Sequence, residues 1–134
     1  MRALRWPDRL GMVVAIGCGV HCAAMTVIFL TWPALWLNRS LWERGVWKHL
    51  LLLEWSLLGL AWLLIVTAAV AGWFIHKRVI PGLVGLTGIG AMSLAILSPL
   101  HQLGYWGSGL ALCGGLMVAV AHWLNLRLIR CRPD

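Results

Sequence analysis

Long apolar stretches alternate along the sequence with short segments that carry nearly all of its charged residues. Four of these stretches are long enough to cross a bilayer as helices, which takes about 20 mostly apolar residues. They run from Leu10 to Trp32, from Leu51 to Ile75, from Val79 to Leu100 and from Gly104 to Leu126. Because lipid offers the backbone no hydrogen-bond partners, each stretch is expected to be an α-helix. The pattern predicts an all-α membrane protein with four transmembrane helices in a bundle, forming one domain over residues 1–134.

The Lys and Arg residues are distributed unevenly between the two ends of the predicted helices. Eight of them lie in the N-terminal segment, after the second stretch and in the C-terminal segment: Arg2, Arg5, Arg9, Lys77, Arg78, Arg127, Arg130 and Arg132. The other three lie in the connection Pro33–Leu50. Cytoplasmic loops are enriched in Lys and Arg, so both termini are predicted to be cytoplasmic. A basic start before an apolar run also resembles a signal peptide. That run continues unbroken to Trp32, and we expect it to be retained.

Composition narrows the class of protein further. The 134 residues are 61% hydrophobic and only 11% charged, against roughly 25% charged residues in an average soluble domain. These values exclude a soluble enzyme, a disordered tail and a secreted disulfide scaffold. The net charge of +7 does not indicate nucleic-acid binding, because the basic residues flank apolar stretches and form no continuous basic face. Ten tryptophans also suit a chain whose main partner is the lipid bilayer.

One cluster of metal-ligating residue types lies near the middle of the first predicted helix. Cys18, His21 and Cys22 share a helix face, because positions i, i+3 and i+4 are neighbours. Thiolate and imidazole bind Hg(II), Cu(I) or Zn(II) in preference to Mg²⁺ or Ca²⁺. Cysteines one turn apart have Cβ atoms about 5–6 Å from each other, whereas a disulfide needs about 3.8 Å. The spacing therefore favours a transiently bound soft metal ion, with no permanent cofactor; in the alternative interpretation the cysteines only fill the core.

Other soft or polar side chains provide secondary positions for a metal ion or its pathway. These are Met25, His76, His122, Asn125 and Cys131. Met25 continues the cysteine face, and the two histidines with Asn125 are expected to form a polar group at the cytoplasmic ends of the second and fourth helices. An equally acceptable interpretation is that these residues only form a hydrogen bond between the two helices. Cys131 lies among arginines, which favour its thiolate.

Two further residues are expected to have no role in binding. Glu54, the acidic residue within a predicted helix, lies near the outer end of the second one, where its carboxylate can reach water. Cys113 is expected to be a packing residue in the fourth helix.

The residues alone leave several functions open. No hydrolase, kinase or nucleotide-binding motif is present, so an enzyme is not expected. A haem protein is one alternative, with His76 and His122 as axial ligands on two helices. An accessory subunit of a larger membrane complex is another, with the tryptophans covering the partner subunit.

Several short segments together resemble the MerC family of bacterial inner-membrane mercury-resistance proteins. The segment Cys18–Cys22 looks like the family's Cys-x-x-His-Cys motif. The segment Gly72–His76 looks like its closing stretch after the second helix, and Ala121–Arg127 looks like its Ala-His-x-x-Asn-x-Arg ending. The lead Asp8–Gly11 into the first helix fits the same pattern.

The resemblance implies that the chain moves Hg(II) inward across the inner membrane. The ion would arrive as a complex with small thiols and leave towards a cytoplasmic mercuric reductase. Cys18 and Cys22 correspond to the cysteine pair in the first helix of mercury-operon proteins. The C-terminal segment has only Cys131 where those proteins have a second pair.

Overall fold

Four long helices make up most of the described part of the protein. The computed structural model describes residues 6–32, 40, 45–98 and 105–130, of which about 94% are helical and none lies in a strand. The helices are α1 (Trp6–Thr31), α2 (Val46–His76), α3 (Ile80–Leu97) and α4 (Tyr105–Arg130). Each is long and apolar enough to cross a membrane. The prediction of an all-α protein with four transmembrane helices is confirmed.

Three helices extend beyond the predicted boundaries. α1 begins at Trp6, four residues early, and this places Asp8 in its first turn. Pro7 fits there because the first turn needs no backbone N–H, and a carboxylate is favoured near a helix N-terminus. α2 begins at Val46, inside the predicted connection. α4 continues to Arg130, and its basic last turn complements the negative end of the helix dipole.

α3 and α4 form the closest helix pair, and their contact depends on two glycines. A Cβ atom on Gly114 would lie 2.6 Å from the Gly88 carbonyl oxygen, and one on Gly88 would lie 2.7 Å from the Gly114 carbonyl oxygen. Both distances are too short for a real side chain, so the backbones meet because neither residue has one. Met92 lies beside this crossing and is fully buried.

α1 packs mainly on α4, and then on α2. The sequence has a ridge of small residues at every fourth position of α4: Gly107, Ala111, Gly115 and Ala119. Gly115 lies in this interface, since a Cβ atom there would be 3.5 Å from the Ala15 carbonyl oxygen. The close approach on this ridge is therefore made by α1, whereas α3 uses the neighbouring position, Gly114.

The start of α1, the end of α2 and the end of α4 lie together at one end of the bundle, which we name the terminal end. There the Lys77 ammonium lies 5.4 Å from the centre of the Phe74 ring, and the Arg127 guanidinium lies 5.3 Å from the Trp123 ring. Both rings are substantially exposed. Exposed aromatic rings beside basic groups are typical of the membrane–water interface. That the terminal end faces the cytoplasm stays a prediction from the charge distribution.

Candidate functional site

The cysteine face of α1 points into the bundle. Cys18 is fully buried, and Cys22 and Met25, one and two turns further along, are buried as well. No disulfide joins Cys18 and Cys22, and their two thiols are close enough to interact with each other. We call these two residues the thiol pair. The pair lies about 15–21 Å along α1 from Asp8, at a rise of 1.5 Å per residue, and is therefore well inside the membrane-spanning part of the helix.

His21 lies beside the thiol pair but differs from it in environment. The residue is only half-buried, while its Nε2 atom is inaccessible and has no hydrogen-bond partner among the described residues. Within the described ranges, no three His, Cys, Asp or Glu side chains are grouped so as to hold one ion. Two thiolates alone suit an ion that accepts linear coordination, such as Hg(II) or Cu(I), whereas Zn(II) takes four ligands.

Glu54 lies closer to this site than the sequence suggested. Its side chain is only 6% exposed, on α2, which packs against α1. The carboxylate is near enough to act electrostatically on both Cys18 and Cys22. The expectation that Glu54 reaches water from the helix end is wrong, because the residue is buried within the bundle.

A second group of polar residues, three of them buried and one half-buried, lies at the terminal end. It consists of Asp8, His76, His122 and Asn125, and we call it the polar network. His122 Nδ1 lies 2.9 Å from Asp8 Oδ1, and Asn125 Nδ2 donates to Asp8 Oδ2 at 2.8 Å. Asn125 Nδ2 also lies 3.3 Å from the Ala68 carbonyl oxygen. The network therefore ties together α1, α2 and α4.

The hydrogen bonds determine the proton positions on His76. Its Nδ1 accepts from the Arg78 backbone N–H at 3.1 Å, so the proton of the neutral ring is on Nε2. Nε2 then donates to Asn125 Oδ1 at 2.6 Å. This bond in turn orients the Asn125 amide with its NH₂ group towards Asp8.

The predicted polar group of His76, His122 and Asn125 thus exists, and the structure adds Asp8 to it. Sequence reasoning placed Asp8 only in the lead into the first helix. The sequence feature that could have indicated a role for Asp8 is its acidic side chain, since Asp8 is one of only four acidic residues in the chain. An ionisable residue at the start of an apolar helix needs a partner, but the sequence does not reveal that this partner is 114 positions away.

Two glycines make room for the polar network. A Cβ atom on Gly11 would overlap the His122 ring, with Cδ2 only 2.6 Å away. One on Gly72 would overlap Asn125 Oδ1 and lie 2.8 Å from His76 Nε2. Both glycines belong to the segments that resemble the MerC family, and their role is steric.

We expect Gly11→Ala to destabilise the protein by about 1–3 kcal/mol, because the new methyl group displaces His122 from Asp8. Gly17→Ala is the matched control on the same helix, because a Cβ atom there meets nothing within 4 Å. The control should be neutral or more stable by about 0.5–1 kcal/mol. Unfolding midpoints of both purified variants in the same detergent measure the difference. Equal midpoints would contradict the steric role of Gly11.

The haem alternative receives no support from these positions. Both nitrogens of His76 are engaged in hydrogen bonds, and its ring is linked to that of His122 through Asn125 and Asp8. Two axial ligands would instead need available nitrogens facing each other across the haem plane.

The two remaining cysteines are not part of the buried thiol pair. Cys113 is exposed on α4, so its expected role in packing is wrong. Cys131 lies outside the described residues, and its proposed part in the pathway stays a prediction.

Comparison with known proteins agrees with the resemblance in the sequence. The family model described as MerC mercury resistance protein matches residues 8–127. The matched range includes the thiol pair and the whole polar network. No curated protein and no solved structure matches the chain significantly. Because the family model covers most of the chain, the protein belongs to the MerC family of mercury-resistance proteins, and its four apolar helices make it a multi-pass membrane protein.

Proposed function

We propose that this protein transports Hg(II), or another thiophilic ion, inward across the bacterial inner membrane, and that Cys18 and Cys22 bind the ion on the way. One observation carries the proposal: a MerC-family chain holds two buried thiols one turn apart within a membrane-spanning helix. Buried ionisable groups in membrane helices are costly, and they usually serve a function.

The chemistry of the thiol pair suits passage through an apolar interior. An ion held by two small thiolates is attacked by one cysteine sulfur, which forms an S–Hg bond while one small thiolate leaves. The leaving thiolate takes up the proton that the cysteine gives up. A second exchange of the same kind places Hg(II) between Cys18 and Cys22. Two thiolates neutralise the charge of Hg(II), so the complex does not carry a net charge into the low-dielectric core.

Release towards the cytoplasm is the second half of the proposal. The basic residues at the terminal end support a cytoplasmic position for that end under the positive-inside rule. Cytosolic thiols, with Cys131 as a first acceptor, then take the ion by the same exchange reaction. Reduction of Hg(II) by a mercuric reductase would remove the product and keep the flow directed inward.

The experiment that tests the function is uptake of labelled Hg(II) by cells that express the protein. We expect the intact chain to exceed an empty-vector control, and Cys18→Ser/Cys22→Ser to fall to the level of that control at matched membrane abundance. Cys113→Ser is the matched cysteine control, because Cys113 is exposed whereas Cys18 and Cys22 are buried. Uptake by the double variant equal to that of the intact chain would contradict the proposal. Competition with Cu(I) and Zn(II) in the same assay reports which ion is preferred.

A further inference from the structure

An open apolar groove lies on the outer surface of the bundle, along the seam between α1 and α4. Its volume is about 260 Å³. Gly19 and Gly115 are buried at its floor, and the exposed side chains of Val20 and Leu116 stand on either side of it. The groove is therefore a recess in the surface that faces the hydrocarbon. Atoms that line an empty recess lose dispersion contacts, so an occupant that fits its shape is favoured.

The groove has the length of one lipid leaflet. On α1 it is lined from Ala15 to Ala23, a distance of about 12 Å at the rise of an α-helix. The hydrocarbon layer of one leaflet is about 15 Å thick, half of the value for a bilayer. Arg9 lies about 21 Å from Ala23 along the same helix, and a leaflet with its headgroups measures about 20–22 Å. A lipid with one tail in the groove therefore has its headgroup at the level of Arg9.

Basic residues follow both walls of the groove at this end. Arg9 lies two turns before Ile16 and on the same side of α1. On α4, the wall continues from Leu116 to Trp123 and then, one turn further, to Arg127. The Arg127 guanidinium lies 5.3 Å from the centre of the Trp123 ring. Both arginines are exposed, so a headgroup at the end of the groove can reach them.

The exposed charges that the structure describes at the terminal end are all basic. They belong to Arg9, Lys77, Arg78, Arg127 and Arg130. The carboxylate of Asp8 is buried and bonded within the polar network. A second copy of the chain in the groove, related by a two-fold axis along the membrane normal, would bring the same positive charges to the same level. An anionic headgroup is instead attracted there, so charge complementarity favours an anionic lipid as the occupant.

We propose that the groove between α1 and α4 binds an anionic phospholipid. One acyl chain lies over Gly19 and Gly115, and the phosphate diester accepts charge-assisted hydrogen bonds from Arg9 and Arg127. Trp123 lies beside the headgroup, at the membrane–water interface. The bound chain covers the seam between α1 and α4 and thereby stabilises their contact. No metal ion takes part, so the lipid site goes beyond the proposed transport function and does not depend on it.

Binding of two lipids that differ only in their headgroups tests the proposal. The full-length protein, purified in detergent without added metal, is titrated with phosphatidylglycerol or with phosphatidylethanolamine that carries the same acyl chains. A lipid that binds the folded protein raises the unfolding midpoint by mass action, and lipid retained on gel filtration is counted by mass spectrometry. We expect phosphatidylglycerol to bind more tightly, by about fivefold for each arginine that contacts the phosphate.

Replacing the two arginines tests the headgroup site. Arg9→Gln/Arg127→Gln should bind the two lipids with equal affinity, because the phosphate loses both cationic partners. Arg78→Gln is the matched control, since Arg78 is exposed at the same end but does not belong to a helix that lines the groove. The control should keep the preference for phosphatidylglycerol. A double variant that prefers phosphatidylglycerol as strongly as the intact chain does would overturn the proposal.

Filling the far end of the groove tests the acyl-chain site. Each methylene group displaced from the groove costs about fourfold in affinity, so Ala23→Phe should weaken the binding of both lipids by at least that factor. Ala24→Phe is the control at a neighbouring exposed position that does not line the groove, and it should bind as the intact chain does. Equal affinities in all three chains would overturn the placement of the acyl chain. A particle that changes from dimer to monomer in Ala23→Phe, with no lipid retained by the intact chain, would assign the groove to a second copy instead. Unfolding midpoints without added lipid check that each variant is folded, and the arginine variants decide alone if Ala23→Phe is not.

Discussion

Replacing either Cys18 or Cys22 with serine is expected to lower the affinity of the purified protein for Hg(II) by at least about 100-fold, because loss of even an outer-shell partner of a metal site costs about 10–100-fold. The physical reason is the ligand count. The described part of the chain brings no third His, Cys, Asp or Glu side chain into a common ion site. Removing one thiol therefore leaves a single strong ligand, and a hydroxyl does not replace a thiolate for a soft ion.

The measurement is competition for Hg(II) against a small dithiol of known affinity, at fixed pH and in one detergent. Cys113→Ser should bind as the intact chain does. His21→Ala separates two coordination schemes: an unchanged affinity means that two thiolates hold the ion, whereas a loss comparable to that of the cysteine variants makes His21 a third ligand. Tight binding that persists in Cys18→Ser or Cys22→Ser would refute the two-thiol site.

Among the substitutions that add a single methyl group, Gly114→Ala is expected to lower the stability of the protein most. The new Cβ atom would lie 2.6 Å from the Gly88 carbonyl oxygen and 2.9 Å from the Met92 backbone nitrogen. Backbone atoms cannot move aside as the end of a flexible side chain can, so α3 and α4 must separate. Overpacking of this kind costs about 1–3 kcal/mol, with the upper part of that range expected here.

Gly109→Ala is the matched control on the same helix. A Cβ atom at position 109 meets nothing within 4 Å, so replacing glycine there should stabilise the helix by about 0.5–1 kcal/mol. The two substitutions are chemically identical, and they are expected to shift the unfolding midpoint in opposite directions. A shift of the same sign and size in both variants would show that α3 and α4 do not meet at Gly114.

Hydropathy was sufficient to predict the four helices, because the bilayer imposes the same requirement on every segment that crosses it. Each helix must be apolar over about 20 residues and must satisfy its own backbone hydrogen bonds. These are local properties that can be counted along the chain. The ends of the helices were less predictable: α1 and α4 extend by four residues each through segments that contain charged residues. At the start of α1, Asp8 lies in one of these extra positions and is bonded to residues of α4, which hydropathy does not reveal.

The candidate site likewise has some features that the sequence predicts and others that only the packing of the helices reveals. That Cys18 and Cys22 share a face follows from the helical repeat, and so does the position of Met25 on that face. By contrast, the approach of Glu54 to the thiols depends on α2 packing against α1, and the neighbouring residues in sequence do not reveal it. The sequence grouped His76, His122 and Asn125 from their common depth in the membrane, but the geometry of their bonds could not be read from it.

The sequence by itself thus determined that this chain spans a membrane four times, carries a pair of thiols within its first helix and resembles the MerC family. Each of these conclusions depends on residue type and short-range spacing. Only the tertiary structure decided that Asp8 pairs with His122, that Gly11 and Gly72 make room for the polar network, and that Gly88 meets Gly114. Those contacts join residues far apart in the chain, since polar groups and close-packed backbones in a membrane find their partners on other helices.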